Sequence, residues 1–321
     1  MITNLEIKNF KSIKQLNLNC RKINLFIGEP NSGKSNILES LSLFSFIRFG
    51  NLEDFIRIET MNNLFSDENL DENILLKADS KMLEIKFKDD IFQGRCYDKK
   101  LNGEEISSFN FDYNFRGSKS MVSEPLPIRF YRFSVRKVFY RKESDFLLPP
   151  YGDNLLTLIR SHKKLKENAA DLFEPFGLKL AFRIQENKME IIKQYENDII
   201  AHPYWLLSDT LQRIIFYATA IDSNKESILV FEEPESHTFP YYTKFLGEKI
   251  AFDQTNQYFI ATHNPYLLLA ILEKSKKKTV NVFVTYYKDY ETKVKLLNDE
   301  QVSELMNYDP FFNLNDFIVG D

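Results

Sequence analysis

Gly28-Glu29-Pro30-Asn31-Ser32-Gly33-Lys34-Ser35 is the stretch on which the fold turns. It fits the spacing G-x-x-x-x-G-K-[ST]. The apolar run Ile23–Ile27 precedes it, and Ile37, Leu38, Leu41 and Phe44 follow at helical spacing. A buried strand, a glycine-rich loop and a helix in that order make a phosphate-binding loop. Its backbone N–H groups and the helix N-terminus offer donors to an anion. Lys34 would reach the β- and γ-phosphates, and the Ser35 hydroxyl would ligate Mg²⁺. Glu29, Pro30, Asn31, Ser32, Gly33 and Asn36 complete the candidate nucleotide contacts.

Three further segments belong with such a loop. Ile228–Phe231 is an apolar run followed at once by Glu232 and Glu233. Acids at the carboxyl end of a strand lie where open α/β sheets bind ligands. Successive strand side chains point oppositely, which gives the pair two jobs. Glu232 is expected on the metal side, and Glu233 is expected to polarise the attacking water. Ala261-Thr262-His263-Asn264 follows the next strand, from which His263 could reach a γ-phosphate. Leu207-Ser208-Asp209-Thr210-Leu211-Gln212-Arg213 opens a helix. Its serine and free N–H groups suit either an ordinary cap or an anion site.

These four sites, in this order, resemble the ABC-type ATPase superfamily. GEPNSGKS looks like its Walker A loop, ILVFEEPE like Walker B with the catalytic glutamate, ATHNP like the switch histidine, and LSDTLQR like the signature LSGGQQR. The opening IKNFKSI…INLFIGEPNSGKSNILE and the segment EEPESHTFP are similar to the SMC/RecF/OLD branch, above all to bacterial and archaeal "AAA family ATPase" chains of the OLD-like, RecF-like type. The resemblance covers residues 1–47 and about 147–270, and is poor over 50–125 and the last fifty.

The resemblance implies an α/β ABC head. Residues 1–146 and 226–321 would form lobe I, with an antiparallel subdomain, and 147–225 a mostly helical lobe II. It implies ATP and Mg²⁺ as cofactors, Glu233 and His263 as catalytic groups, and Ser35 and Glu232 on the metal. Lys11 stands where related heads place a basic residue near the nucleotide. Two heads would meet head to tail as a homodimer or higher oligomer. Ser208, Asp209, Thr210 and Gln212 would then close on the partner head's γ-phosphate. Two departures stand out. Thr210 replaces a glycine and could crowd that phosphate, and Glu232 replaces the usual aspartate. A Q-loop glutamine is not placed; Gln93 is poorly spaced for it.

The expected output is a Mg²⁺-dependent ATPase switch that controls a separate effector protein, with prokaryotic defence as one setting. The alternative is a RecF-like DNA-binding repair or maintenance ATPase. A transporter subunit is disfavoured by the SMC-like opening. No sustained heptads announce a long coiled coil, and the stretch after Tyr286 is too short for a Toprim nuclease domain.

The remainder of the chain fits this frame. It has 321 residues, 43% apolar and 27% charged, with a net charge of −4. That composition excludes disordered, collagen-like and disulfide-framework chains. Two cysteines, Cys20 and Cys96, without metal spacing suit a reducing, cytoplasmic setting. No apolar run reaches the roughly 20 residues that span a bilayer. Leu5/Ile7 and Leu16/Leu18 alternate as a strand pair, and Leu83–Phe115 reads as an antiparallel meander. From residue 203 onward, helix and strand alternate, which predicts a parallel sheet covered by helices. Residues 50–80 carry no readable period. Arg129, Arg132, Arg136, Lys137, Arg141 and Lys142 interleave with aromatics. Two readings apply: pairing with acids across lobes, or weak, salt-dependent nucleic-acid binding.

Overall fold

A computed structural model describes residues 1–101, 103–120, 122, 126–196, 198–307, 311 and 314–318. The chain opens with β1 (Asn4–Phe10) and β2 (Ile13–Asn19), followed by β3 (Ile23–Gly28) and α1 (Lys34–Arg48). Then come β4 (Ile74–Ala78), β5 (Lys81–Lys88), β6 (Ile91–Asp98), β7 (Glu104–Phe111), β8 (Gly117–Lys119) and β9 (Ile128–Tyr131). The middle holds α2 (Leu155–Ser161), α3 (Lys163–Asp171), β10 (Leu178–Arg183), β11 (Lys188–Tyr195) and β12 (Asp198–Pro203). The last third runs α4 (Asp209–Ser223), β13 (Ile228–Glu232), α5 (Pro240–Phe252), β14 (Gln257–Ala261), α6 (Pro265–Lys274), β15 (Val280–Lys288), β16 (Glu291–Leu296) and α7 (Asp299–Asn307).

These strands form three sheets. The central one has the order β16-β15-β3-β14-β13-β9, parallel except for β16. A seven-stranded antiparallel sheet has the order β2-β1-β4-β5-β6-β7-β8, and β10-β11-β12 form a third. Both faces of the central sheet are covered, so β3 is buried at all six positions. Alternate side chains sort into two cores. Phe26, Val230 and Phe259 join α1 and the antiparallel sheet. Leu25, Leu229, Phe231 and Ile260 join α4, α5 and α6. Helix α1 is wedged in the first core and buried nearly all round. Its Ser40 and Ser42 hydroxyls therefore turn back onto the carbonyls of Ile37 and Glu39, each at 2.7 Å.

The α/β architecture agrees with the sequence reading, and the differences have local causes. Residues 50–80 hold three short 3₁₀ turns and β4. Because β4 pairs with both β1 and β5, the opening hairpin and the meander make one sheet, not two units. The segment 147–225 carries three strands beside its helices, so it is less helical than expected. Strand β12 had no alternation to reveal it, because its first five residues are all exposed. Helix α3 ends at Asp171, ahead of Pro175.

Candidate functional site

The phosphate-loop sequence connects β3 to α1 as expected. Gly33 takes φ +97° immediately before the helix, and a Cβ there would lie 1.9 Å from Thr292 Oγ1. Thr292 cannot yield readily. It is fully buried, its N–H donates to Ser12 O at 2.7 Å, and its hydroxyl meets Ser12 Oγ at 2.6 Å. Asn36 donates to that same Ser12 Oγ at 2.7 Å, so its side chain braces the loop. Ser32 is also turned inward, with Oγ 2.8 Å from Thr285 Oγ1. Glu29, Pro30 and Asn31 form the exposed rim. Lys34 folds back over the loop and donates to the carbonyls of Gly28 (2.9 Å) and Glu29 (2.8 Å). Burial lowers its pKa to about 8, against the opposing pull of Glu233.

The acids lie at the ends of neighbouring strands. Glu233 leaves β13 with φ 43°, and its N–H donates to Ala261 O at 2.9 Å. Ser236 Oγ donates to Glu233 Oε2 at 3.0 Å, and His263 Nε2 lies 3.5 Å from Oε1. Burial and then the Lys34 charge push the His263 pKa down, with Glu233 opposing. Lys34, Glu233 and His263, from three separate segments, thus share one electrostatic environment. Glu235 is 4% exposed, beneath them. Its Oε1 accepts from Thr262 Oγ1 at 2.5 Å, while Oε2 has no partner among the described residues.

Glu232 points the other way, into a network that sequence reasoning missed. Arg57 Nη2 donates to it at 2.7 Å and Arg132 Nη2 at 3.1 Å. Burial works to raise its pKa, but the Ser35 hydrogen bond and the two guanidinium charges outweigh it and hold the carboxyl below its usual range. Glu39, wholly buried on α1, binds Arg57 Nε at 2.9 Å and also Lys11. Lys11 was expected beside the nucleotide; its ammonium instead sits on Glu39 and on Arg57 O (2.8 Å). The available signal for Glu39 was a lone carboxylate in an otherwise apolar and serine-rich helix. Arg57 had none, since it follows a 3₁₀ turn in an unpatterned stretch.

In the signature segment, Ser208 caps α4 by accepting from Leu211 N. Asp209 pairs with Arg213 at 3.3 Å, and Thr210 Oγ1 donates to His237 O at 3.0 Å. Gln212 is buried and donates to Leu207 O at 2.8 Å. It therefore holds the preceding loop, which corrects its expected place on the phosphate-facing surface.

The AAA ATPase domain family matches residues 1–204. The chain belongs to that family. It is an ATPase, and its fold is that of an ABC-type head. A solved SMC head bound to the C-winged helix domain of ScpA is 13% identical, covers 94% of this chain and 99% of its own, and has a TM-score of 0.50. An SMC head domain from Thermotoga maritima is 15% identical over 92% of this chain and 99% of its own, with a TM-score of 0.44. No curated protein matches the chain in sequence.

The basic–aromatic stretch of this ATPase is committed internally. Arg132 holds Glu232, Arg136 and Lys142 approach Asp153 (3.4 and 3.8 Å), and Arg141 binds Asn187 and Ile184 O. Arg129 binds Asn224 and lies over the Phe146 ring, and Lys137 lies over Trp205. All six cations thus have contacts within the chain, and three of them, Arg132, Arg136 and Lys142, meet an acid. Among the described residues, no group of three His, Cys, Asp or Glu could hold a metal ion, and no helix is long and apolar enough to cross a membrane.

Proposed function

We propose that this ATPase is a Mg²⁺-dependent nucleotide switch whose two heads close on ATP and whose output is passed to a separate effector protein. The observation that carries the reading is the convergence of Lys34, Glu233 and His263. Lys34 moves from its own loop carbonyls onto the β- and γ-phosphates, a short reach for a flexible ammonium. Glu233 accepts a hydrogen bond from the attacking water and takes its proton. His263 steadies the γ-phosphate from the neighbouring strand.

The residues fit Mg²⁺. The Ser35 hydroxyl and the Glu232 carboxylate are hydrogen-bonded neighbours, two hard oxygen donors that leave the remaining positions to phosphate and water. When bound, the ion neutralises charge on the β- and γ-phosphoryl oxygens.

The dimer reading is supported by Phe239, Tyr241 and Tyr266, which are 55–69% exposed at the starts of α5 and α6. They lie beside the carboxyl ends of β13 and β14, where a second head would cover them. In the closed dimer Ser208, Asp209 and Thr210, at the capped N-terminus of α4, would face the partner's phosphate. The similar SMC head binds a winged-helix domain of ScpA. A head of this fold suits a partner-controlling role, and prokaryotic defence is the setting we favour.

Glu233→Gln tests the mechanism. It should lower turnover by about 10²–10⁴-fold, the scale of general-base assistance, while ATP stays bound. Light scattering with Mg-ATP should then report a doubled mass. Wild-type turnover would defeat the assignment of Glu233. Lost turnover with an unchanged mass would show that Thr210 blocks closure of two heads.

A further inference from the structure

Ser35 and Glu39 stand four residues apart on α1, so they share one helix face. The face is unusual because Glu39 is completely buried. A buried carboxylate is tolerated only when well paired. Here Lys11 binds Oε2, while Oε1 accepts from Arg57 Nε at 2.9 Å and from Arg57 N at 3.3 Å. The same Arg57 extends Nη2 to Glu232, and Arg132 Nη2 lies 3.1 Å from Glu232 and 3.6 Å from Glu39. Two carboxylates therefore divide two guanidinium groups, with Lys11 as a third cation.

We propose that Glu39 is a positioning residue: it shares Arg57 and Arg132 with Glu232, and thereby sets the Mg²⁺ concentration at which the site takes nucleotide. This rests on the reading of Glu232 as the metal-side acid. Glu232 is occupied by two guanidinium groups, and a divalent cation must loosen them before it can use that carboxylate. Glu39 draws part of their charge away. Without it, three cations face one acid, the arginines fall wholly on Glu232, and the local positive charge rises by one. All three effects oppose Mg²⁺. Loss of Arg57 does the reverse, because it frees one Glu232 oxygen. Glu39 and Arg57 are direct partners, yet their neutral variants should move the metal requirement in opposite directions. A merely structural role would move both the same way.

The test uses the full chain and a fluorescent non-hydrolysable ATP analogue, titrated in EDTA and then against Mg²⁺. Glu39→Gln should raise the half-saturating Mg²⁺ by at least about tenfold, the scale of one charge contact at a partly buried site. Affinity for the analogue in EDTA should hold within about threefold, since the loop contacts are untouched. Arg57→Gln should lower the Mg²⁺ requirement several-fold, and Glu39→Asp, which keeps the charge, should fall between wild type and Glu39→Gln. Shifts of the same sign in Glu39→Gln and Arg57→Gln would overturn the proposal, as would equal losses in EDTA and in Mg²⁺. If Glu39→Gln does not fold, Arg57→Gln decides alone: an unchanged or raised Mg²⁺ requirement refutes it. Glu232→Gln separates the two layers. No effect of that variant on the Mg²⁺ dependence would sink the metal reading of Glu232. An effect there, with none in Glu39→Gln, would sink only the role of Glu39.

Discussion

Replacing Glu235 by Gln should make the protein more stable, but only above a certain pH. The Glu235 carboxyl is 4% exposed, one oxygen is bonded to Thr262, and the other has no hydrogen-bond partner among the described residues. Burial pushes its pKa up to about 7, from an ordinary 4.5, with Thr262 opposing and the charge of Glu233 adding. Between those values the folded chain keeps a proton that the unfolded chain has released. Stability therefore falls as pH rises through that window, and the loss is complete above about pH 7. At about 1.4 kcal/mol per pH unit, the gap from 4.5 to about 7 costs about 3 kcal/mol. Gln cannot ionise, and its carbonyl can still accept from Thr262. Urea unfolding should find Glu235→Gln more stable than wild type by up to about 3 kcal/mol near pH 8. Near pH 4.5 the difference should shrink toward nothing, because wild-type Glu235 is then protonated in the folded chain. A difference that stays the same at both pH values would refute the reasoning.

Two other substitutions probe the loop itself. Lys34→Ala should abolish detectable ATP turnover and weaken nucleotide binding, measured by calorimetry, since it removes the ammonium that we propose reaches the phosphates. Gly33→Ala places a methyl 1.9 Å from the Thr292 hydroxyl at φ +97°, and should cost about 2–5 kcal/mol from left-handed strain and overpacking. Thermal unfolding should show the loss, and ATP binding should fall with it. An unchanged melting temperature would mean that β16 can move.

The parts of the site that could be read from the chain are those written in local patterns. A strand, a glycine loop and a helix sit in one run of residues, and Glu232, Glu233 and His263 each follow an apolar run. Their meeting follows from parallel pairing of β3, β14 and β13. What escaped was set by contacts between distant segments. Arg57 reaches Glu39 and Glu232 from a stretch without periodicity. Gln212 and Asn36 fit their motifs by position, yet both turn inward because a nearby backbone or hydroxyl group needed a partner. The Arg129–Lys142 stretch shows the same limit. Composition announces six cations, but only the fold shows that Asp153, Asn187, Asn224, Glu232 and two aromatic rings use them.

The place of β3 in the central sheet has a consequence for synthesis. It lies between β14 and β15, and Thr285 Oγ1 donates to Ile27 O across 258 positions of sequence. The phosphate loop is thus made long before the strands that seat it. Thr285 and Thr292, which wall it in at Gly28 and Gly33, are made long after it. Pairings so distant in sequence form slowly. A nascent chain that stops at residue 204 would contain the whole family match and the entire GEPNSGKS string. It would lack both walls, so the growing chain should gain its affinity for ATP in one late step, when the C-terminal strands close around a loop made long before.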